Sequence, residues 1–172
     1  MFDDLLDANE RYRAQFHDPG VAGKAAKHLA VLTCIDSRID PLGILGLRPG
    51  DAKIIRNAGA RVTDDALRSL VIAANLLDVE RICVVQHTDC AMTGATEPEF
   101  RARLATARGV DASGPELAGW EFLATTDQMA ALHEDLVRIS ECPLFPPGLV
   151  VGAFIYDVHS GTLMPAPNTL AE

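Results

Sequence analysis

Four short apolar runs, separated by stretches with helical periodicity, organise this chain. Residues 29–34 (LAVLTC), 52–57 (AKIIRN) and 81–87 (RICVVQH) each read as a buried strand, and 149–158 (LVVGAFIYDV) as a fourth. A Ser160-Gly161 turn follows, and the short apolar tail behind it is placed to add an edge strand. Thr63 is positioned to cap a helix over 64–78, with Asp64 and Asp65 in the first turn, where the helix dipole favours acidic groups. Leu67, Leu70, Val71, Ala74 and Leu77 then share one face. A second long helix is predicted over 117–140, with Leu123, Met129, Leu132, Leu136 and Ile139 on its apolar side. Shorter helices are predicted over 2–16 and 97–107, and 108–116 (RGVDASGPE) reads as a surface loop. Strands alternating with helices predict an α/β fold, a mostly parallel β-sheet of four to five strands flanked by helices. Such sheets bind ligands beyond the carboxyl ends of their strands. That rule singles out Cys34 and His87, which end the first and third runs.

Composition narrows the options. The 172 residues suit a single domain, and 48% hydrophobic with 23% charged content excludes wholesale disorder. The net charge of −9 argues against nucleic acid and anionic membrane as partners, though not against a small anion in a locally positive pocket. No apolar run is long enough to span a bilayer. The acidic start, Met1-Phe2-Asp3-Asp4, is unlike a secretory signal, so a cytoplasmic, reducing location is expected. There the four cysteines, with no C-x-x-C among them, stay free for metal or catalysis. Nucleotide-binding glycine motifs are absent, and a phosphatase-type loop would need arginine where Asp40 stands.

The chemistry concentrates in two short segments, Cys34-Ile35-Asp36-Ser37-Arg38 and His87-Thr88-Asp89-Cys90. Zinc accepts thiolate and imidazole, and two cysteines with one histidine leave a fourth position open on a tetrahedral ion. His87 and Cys90 can reach one metal from a single turn, and Cys34 can join them from a neighbouring strand end. Water can fill the fourth position, and so can the carboxylate of Asp36. Arg38 is spaced to hold Asp36 as a bidentate pair and keep it off the metal. Two thiolates and a neutral imidazole cancel the charge of Zn²⁺, so an acceptor that orients the nucleophilic water becomes valuable. Cys83 reads as core and Cys142 as a loop thiol. His17, His28, His133 and His159 lack metal-like spacing and read as surface or structural. For Asp89, support of the ligands, capping of the loop and catalysis all stay open.

The paired segments, together with Arg56-Asn57-Ala58-Gly59 after the second run, resemble the β-class carbonic anhydrases, in particular their small bacterial branch. The resemblance runs in order over roughly residues 27–158. It implies one zinc per chain held by Cys34, His87 and Cys90, with Asp36 and Arg38 as the catalytic pair and Gly59 and Ala91 lining the substrate site. It implies reversible hydration of carbon dioxide to bicarbonate, with zinc-bound hydroxide as the nucleophile. The same zinc site equally suits hydrolysis of carbonyl sulfide or carbon disulfide, or a homologue that binds zinc without catalysis. The family usually carries glycine where this chain has Ala91. Alanine keeps the backbone N–H but adds a methyl group, which would be strained at positive φ. By the same resemblance, residues 1–26 form a helical arm, 27–158 the zinc-binding core and 159–172 a tail. The chains assemble as homodimers or higher even oligomers, with the N-terminal helix embracing the partner.

Overall fold

The sequence builds a five-stranded sheet in a computed structural model that describes residues 1–167. Its elements are α1 (Asp3–Gln15), β1 (Leu29–Cys34), a short α2 (Pro41–Ile44), β2 (Ala52–Asn57), α3 (Asp64–Leu76), β3 (Arg81–His87), α4 (Glu97–Arg108), α5 (Gln128–Ser140), β4 (Val150–Tyr156) and β5 (Leu163–Pro165). The strand order is β2-β1-β3-β4-β5. The first four are parallel, and β5 returns antiparallel against β4 as the edge strand. The last residues of the predicted tail, 168–172, lie outside the described residues. No helix among the described residues is long and apolar enough to cross a membrane.

Strand alternation divides the core into two layers. Ala30, Leu32, Ile82, Val84 and Ala153 face one way, against Ala66, Leu70 and Ala73 of α3 and Leu132, Leu136 and Ile139 of α5. Val31, Cys83 and Val85 face the other way, in the layer that also holds Cys34, Cys90, Met92 and Tyr156. The strand order reverses between β1 and β3, and Cys34 and His87 end those two strands side by side. This is the switch point at which an open parallel sheet leaves a crevice.

The expected helix over 117–140 is shorter than its periodicity suggests, and only 128–140 is helical. Asp127 caps it by accepting the Ala130 N–H. Upstream, Gly119 (φ 77°) and Leu123 (φ 58°) take left-handed conformations that a helix cannot contain. Side chains of α4 satisfy that backbone instead. Glu97 accepts the N–H groups of Phe122 and Ala124, and Arg101 donates to the carbonyls of Leu117 and Trp120.

A buried ion pair fastens α5 to the loop after β2. Arg61 Nε donates to Asp135 Oδ2 at 2.8 Å, and the Val62 N–H donates to Asp135 Oδ1 at 2.9 Å. Burial pushes the Asp135 carboxyl up, against the opposing pull of Arg61. Removing one member of such a pair leaves an uncompensated buried charge. Asp135→Ala is therefore expected to destabilise the fold by about 3–5 kcal/mol, read by urea unfolding at fixed protein concentration. A loss near zero would mean that Arg61 is served by its other contacts, the Leu123 carbonyl and Glu134.

Candidate metal centre

Cys34, His87 and Cys90 converge in the crevice, all three buried, with their donor atoms within 4.8 Å of one another. Cys34 arrives from β1 and His87 from the adjacent β3. Cys90 follows after a turn in which Asp89 adopts φ 54° and bends the chain back. The two sulfurs lie 4.0 Å apart, close to the roughly 3.8 Å expected of two thiolates on one tetrahedral zinc. His87 Nδ1 donates to the Thr88 carbonyl at 2.8 Å, which turns the Nε2 lone pair toward the sulfurs. Nε2 is buried with no hydrogen-bond partner among the described residues. A buried polar atom is rarely left in that state, and a metal ion would satisfy it.

The electrostatics agree. The hydrogen bond from Cys90 pulls the Cys34 thiol well down, against burial, and backbone N–H groups of Asp36 and Gly59 assist. Cys90 is pushed far up, first by that shared hydrogen bond and then by burial. Burial opposes charge on His87, but the adjacent Cys34 sulfur outweighs it and the net shift is upward. Negative charge thus gathers on Cys34 and raises both of its neighbours, an arrangement that a cation between the three would relieve. A thiolate-rich set of this kind favours zinc among divalent ions.

Asp36 stands at the mouth, its Oδ2 4.0 Å from His87 Nε2. Arg38 grips it through Nε to Oδ1 (3.0 Å) and Nη2 to Oδ2 (2.8 Å), and the Arg38 backbone N–H adds a third bond at 2.9 Å. These bonds hold the Asp36 carboxyl below the usual carboxylate range. The same guanidinium donates through Nη1 to Asp89 Oδ2 (2.7 Å) and through Nη2 to the Asp89 carbonyl (3.0 Å). Arg38 therefore bridges the two ligand-bearing loops, with Asp89 as its second anchor.

Gly59 lies beside Cys34, and its N–H donates to Cys34 Sγ at 3.3 Å. Its φ is 79°, and an added Cβ would sit 3.1 Å from Met92 Cβ. Gly59→Ala is expected to cost about 1–3 kcal/mol from backbone strain and to weaken metal retention, read by thermal unfolding and zinc analysis. Wild-type values for both would remove Gly59 from the architecture of the site. Ala91 is exposed in a single 3₁₀ turn (91–93) directly after Cys90. It is not among the described residues with positive φ, so its methyl group carries no backbone strain.

Arg56 had no assigned role in the sequence. Its Nε donates to the Cys34 carbonyl at 2.8 Å and its Nη2 to the Asp36 carbonyl at 2.7 Å. The signal lay in strand register: Cys34 pairs with Asn57, which brings Arg56 alongside the end of β1. Gln128, at the start of α5, donates to the His87 carbonyl at 2.9 Å. Its contact spans 41 residues of sequence and left no local trace.

The chain is similar to known proteins over most of its length. A family profile described as carbonic anhydrase matches residues 29–112. Beta-carbonic anhydrase 1 of Mycobacterium tuberculosis is 33% identical over 161 residues, covering 94% of each chain. Carbon disulfide hydrolase of Saccharolobus solfataricus is 32% identical over 165 residues, covering 85% of this chain and 80% of the relative. The crystal structure of carbonic anhydrase from Streptococcus mutans superposes with a TM-score of 0.85 at 37% identity, over 95% of this chain and 96% of that one.

Proposed function

This chain belongs to the β-carbonic anhydrase family of zinc enzymes, and from that premise we propose that it interconverts carbon dioxide and bicarbonate, with Asp36 and Arg38 at the reacting centre. Cys34, His87 and Cys90 would hold the zinc. When bound, the metal supplies a Lewis acid that lets water act as a nucleophile near neutral pH. The chain's own residues supply orientation. Asp36 is ionised and clamped, so it accepts a hydrogen bond from the attacking water and fixes the direction of its lone pair. Arg38 keeps that carboxylate turned toward the mouth, and Asp89 keeps Arg38 in place. The observation that carries this reading is the threefold grip of Arg38 on Asp36, 4.0 Å from the ligating face of His87. A carboxylate so held is available to water rather than to the metal. Ala91 and Gly59 remain the proposed substrate contacts, Ala91 through its N–H at the rim.

The likeness to carbon disulfide hydrolase favours a second reading at the same site. Carbon dioxide, carbonyl sulfide and carbon disulfide are all linear, with an electrophilic central carbon. Initial rates with each, on one zinc-quantified preparation, separate the readings. Hydration of carbon dioxide well above the sulfide-releasing reactions supports the first. Sulfide release with background hydration overturns it.

The working unit is proposed to be a homodimer or higher even oligomer in the cytoplasm, with 1–26 as an arm, 27–158 as the zinc-binding core and 159–172 as the tail. Helix α1 buries none of its own residues and leaves Phe2, Leu5, Leu6, Tyr12 and Phe16 exposed around it. The chain's surface is 10627 Å², against roughly 8,200 Å² for a compact monomer of this mass. Both observations support an arm that packs on a second copy.

A further inference from the structure

The proposed reaction frees one proton for every bicarbonate formed, and the centre of the site has nowhere suitable to keep it. Asp36 and Asp89 both spend their carboxylate oxygens on Arg38, Asp36 through Nε and Nη2 and Asp89 through Nη1. Arg38 is a permanent cation, and the two thiols and His87 are committed to the metal. One imidazole lies just outside. His159 Nε2 is 3.8 Å from Asp89 Oδ2, the oxygen that also takes Arg38 Nη1.

That position is built into the fold. Asp157, directly after β4, accepts the His159 backbone N–H at 2.9 Å and the Ser160 hydroxyl at 2.7 Å. Thr88, beside His87, donates its hydroxyl to Asp157 Oδ1 at 3.2 Å and accepts the Val158 N–H at 3.2 Å. The turn bearing His159 is thus pinned to the loop bearing the ligands. Elsewhere, His17 contacts the Gln15 carbonyl and His28 the Asp78 carbonyl, while His133 sits on α5. The His159 side chain is 71% exposed, open to bases in solution.

We propose that His159 is the proton-transfer residue of this enzyme, taking up the proton lost by the water that refills the site after bicarbonate leaves and passing it to buffer. The proton leaves that incoming water, crosses intervening solvent and binds a ring-nitrogen lone pair of His159. It then departs to a buffer base. The hydroxide left behind is the next nucleophile, and nothing is oxidised or reduced. A neutral imidazole has a ring-nitrogen lone pair and its cation an N–H on each nitrogen, so the ring can both accept and release a proton. Asp89 faces the ring and steadies the imidazolium while it lasts. Arg38, across the same carboxylate, and Asp157, on the ring's own turn, are the other charged groups beside it.

This inference rests on the carbon dioxide reading and deepens it. The test is stopped-flow hydration by wild-type and His159→Ala protein, each with measured zinc content, over a range of buffer concentrations. Proton export follows bicarbonate formation, so kcat should change while kcat/KM does not. At low buffer kcat is expected to fall by about tenfold, below the usual range for a positioned acid–base group because solvent and residual buffer also carry protons. High buffer or added imidazole should restore it, and zinc content should match wild type. Equal kcat at every buffer concentration would overturn the inference alone. So would zinc loss, or a joint fall in kcat and kcat/KM that imidazole does not rescue, since either marks a structural prop. Zinc-loaded wild-type protein that hydrates no carbon dioxide would overturn the carbon dioxide reading and this inference together.

Discussion

Cys90→Ser is expected to yield a folded protein that no longer retains zinc through dialysis. Serine is close to isosteric with cysteine, so the buried position after the Asp89 turn can still be filled. Its hydroxyl does not ionise near neutral pH, however, and an oxygen donor is harder than the thiolate it replaces. One substitution therefore removes a ligand outright. Loss of an outer hydrogen-bond partner already costs a metal site about 10–100-fold in affinity, and loss of a ligand should exceed that. Zinc analysis after dialysis reads the effect, with circular dichroism reporting the fold. A full equivalent of tightly held zinc would remove Cys90 from the ligand set.

Asp36→Asn should have the opposite signature, with zinc retained and turnover lost. The amide preserves shape, and its oxygen can still accept the bonds that the Arg38 Nε and backbone N–H make to Oδ1, so the ligands are undisturbed. It cannot reproduce two anionic oxygens that are both held by Arg38 and still offer a lone pair to water. It also presents an N–H₂ group where an acceptor is needed. A positioned acid–base group contributes about 10²–10⁴-fold to a rate, and the fall in kcat/KM should lie in that range. Wild-type turnover in this variant would assign Asp36 to structure alone.

Much of the architecture was legible because the physical signals were local. The apolar runs ending at Cys34 and His87 are parallel strands buried at every residue but the first, and their continuous hydrophobicity follows from cover on both faces. Cys34, His87 and Cys90 were identifiable because metal chemistry restricts both residue type and spacing. The helix over 117–140 misled because its apolar periodicity continues upstream of Asp127. Only the carboxylate of Glu97 and the guanidinium of Arg101, distant in sequence, show that this backbone is satisfied another way. Asp89 illustrates the same boundary. Its place between two ligands was visible, but its role as the second anchor of Arg38 depends on β1 and β3 being neighbours. The expected strain at Ala91 came from a family habit, and an ordinary backbone conformation there removes it.

The central claim is that this chain hydrates carbon dioxide at a zinc held by Cys34, His87 and Cys90. Titrating zinc into chelator-stripped protein, with stopped-flow hydration followed at each addition, tests it most directly. The account predicts a rate that begins near background, rises in proportion to bound zinc and stops rising at one zinc per chain. A rate that stays at background with the site fully loaded, or one that is undiminished after the metal is removed, would contradict it.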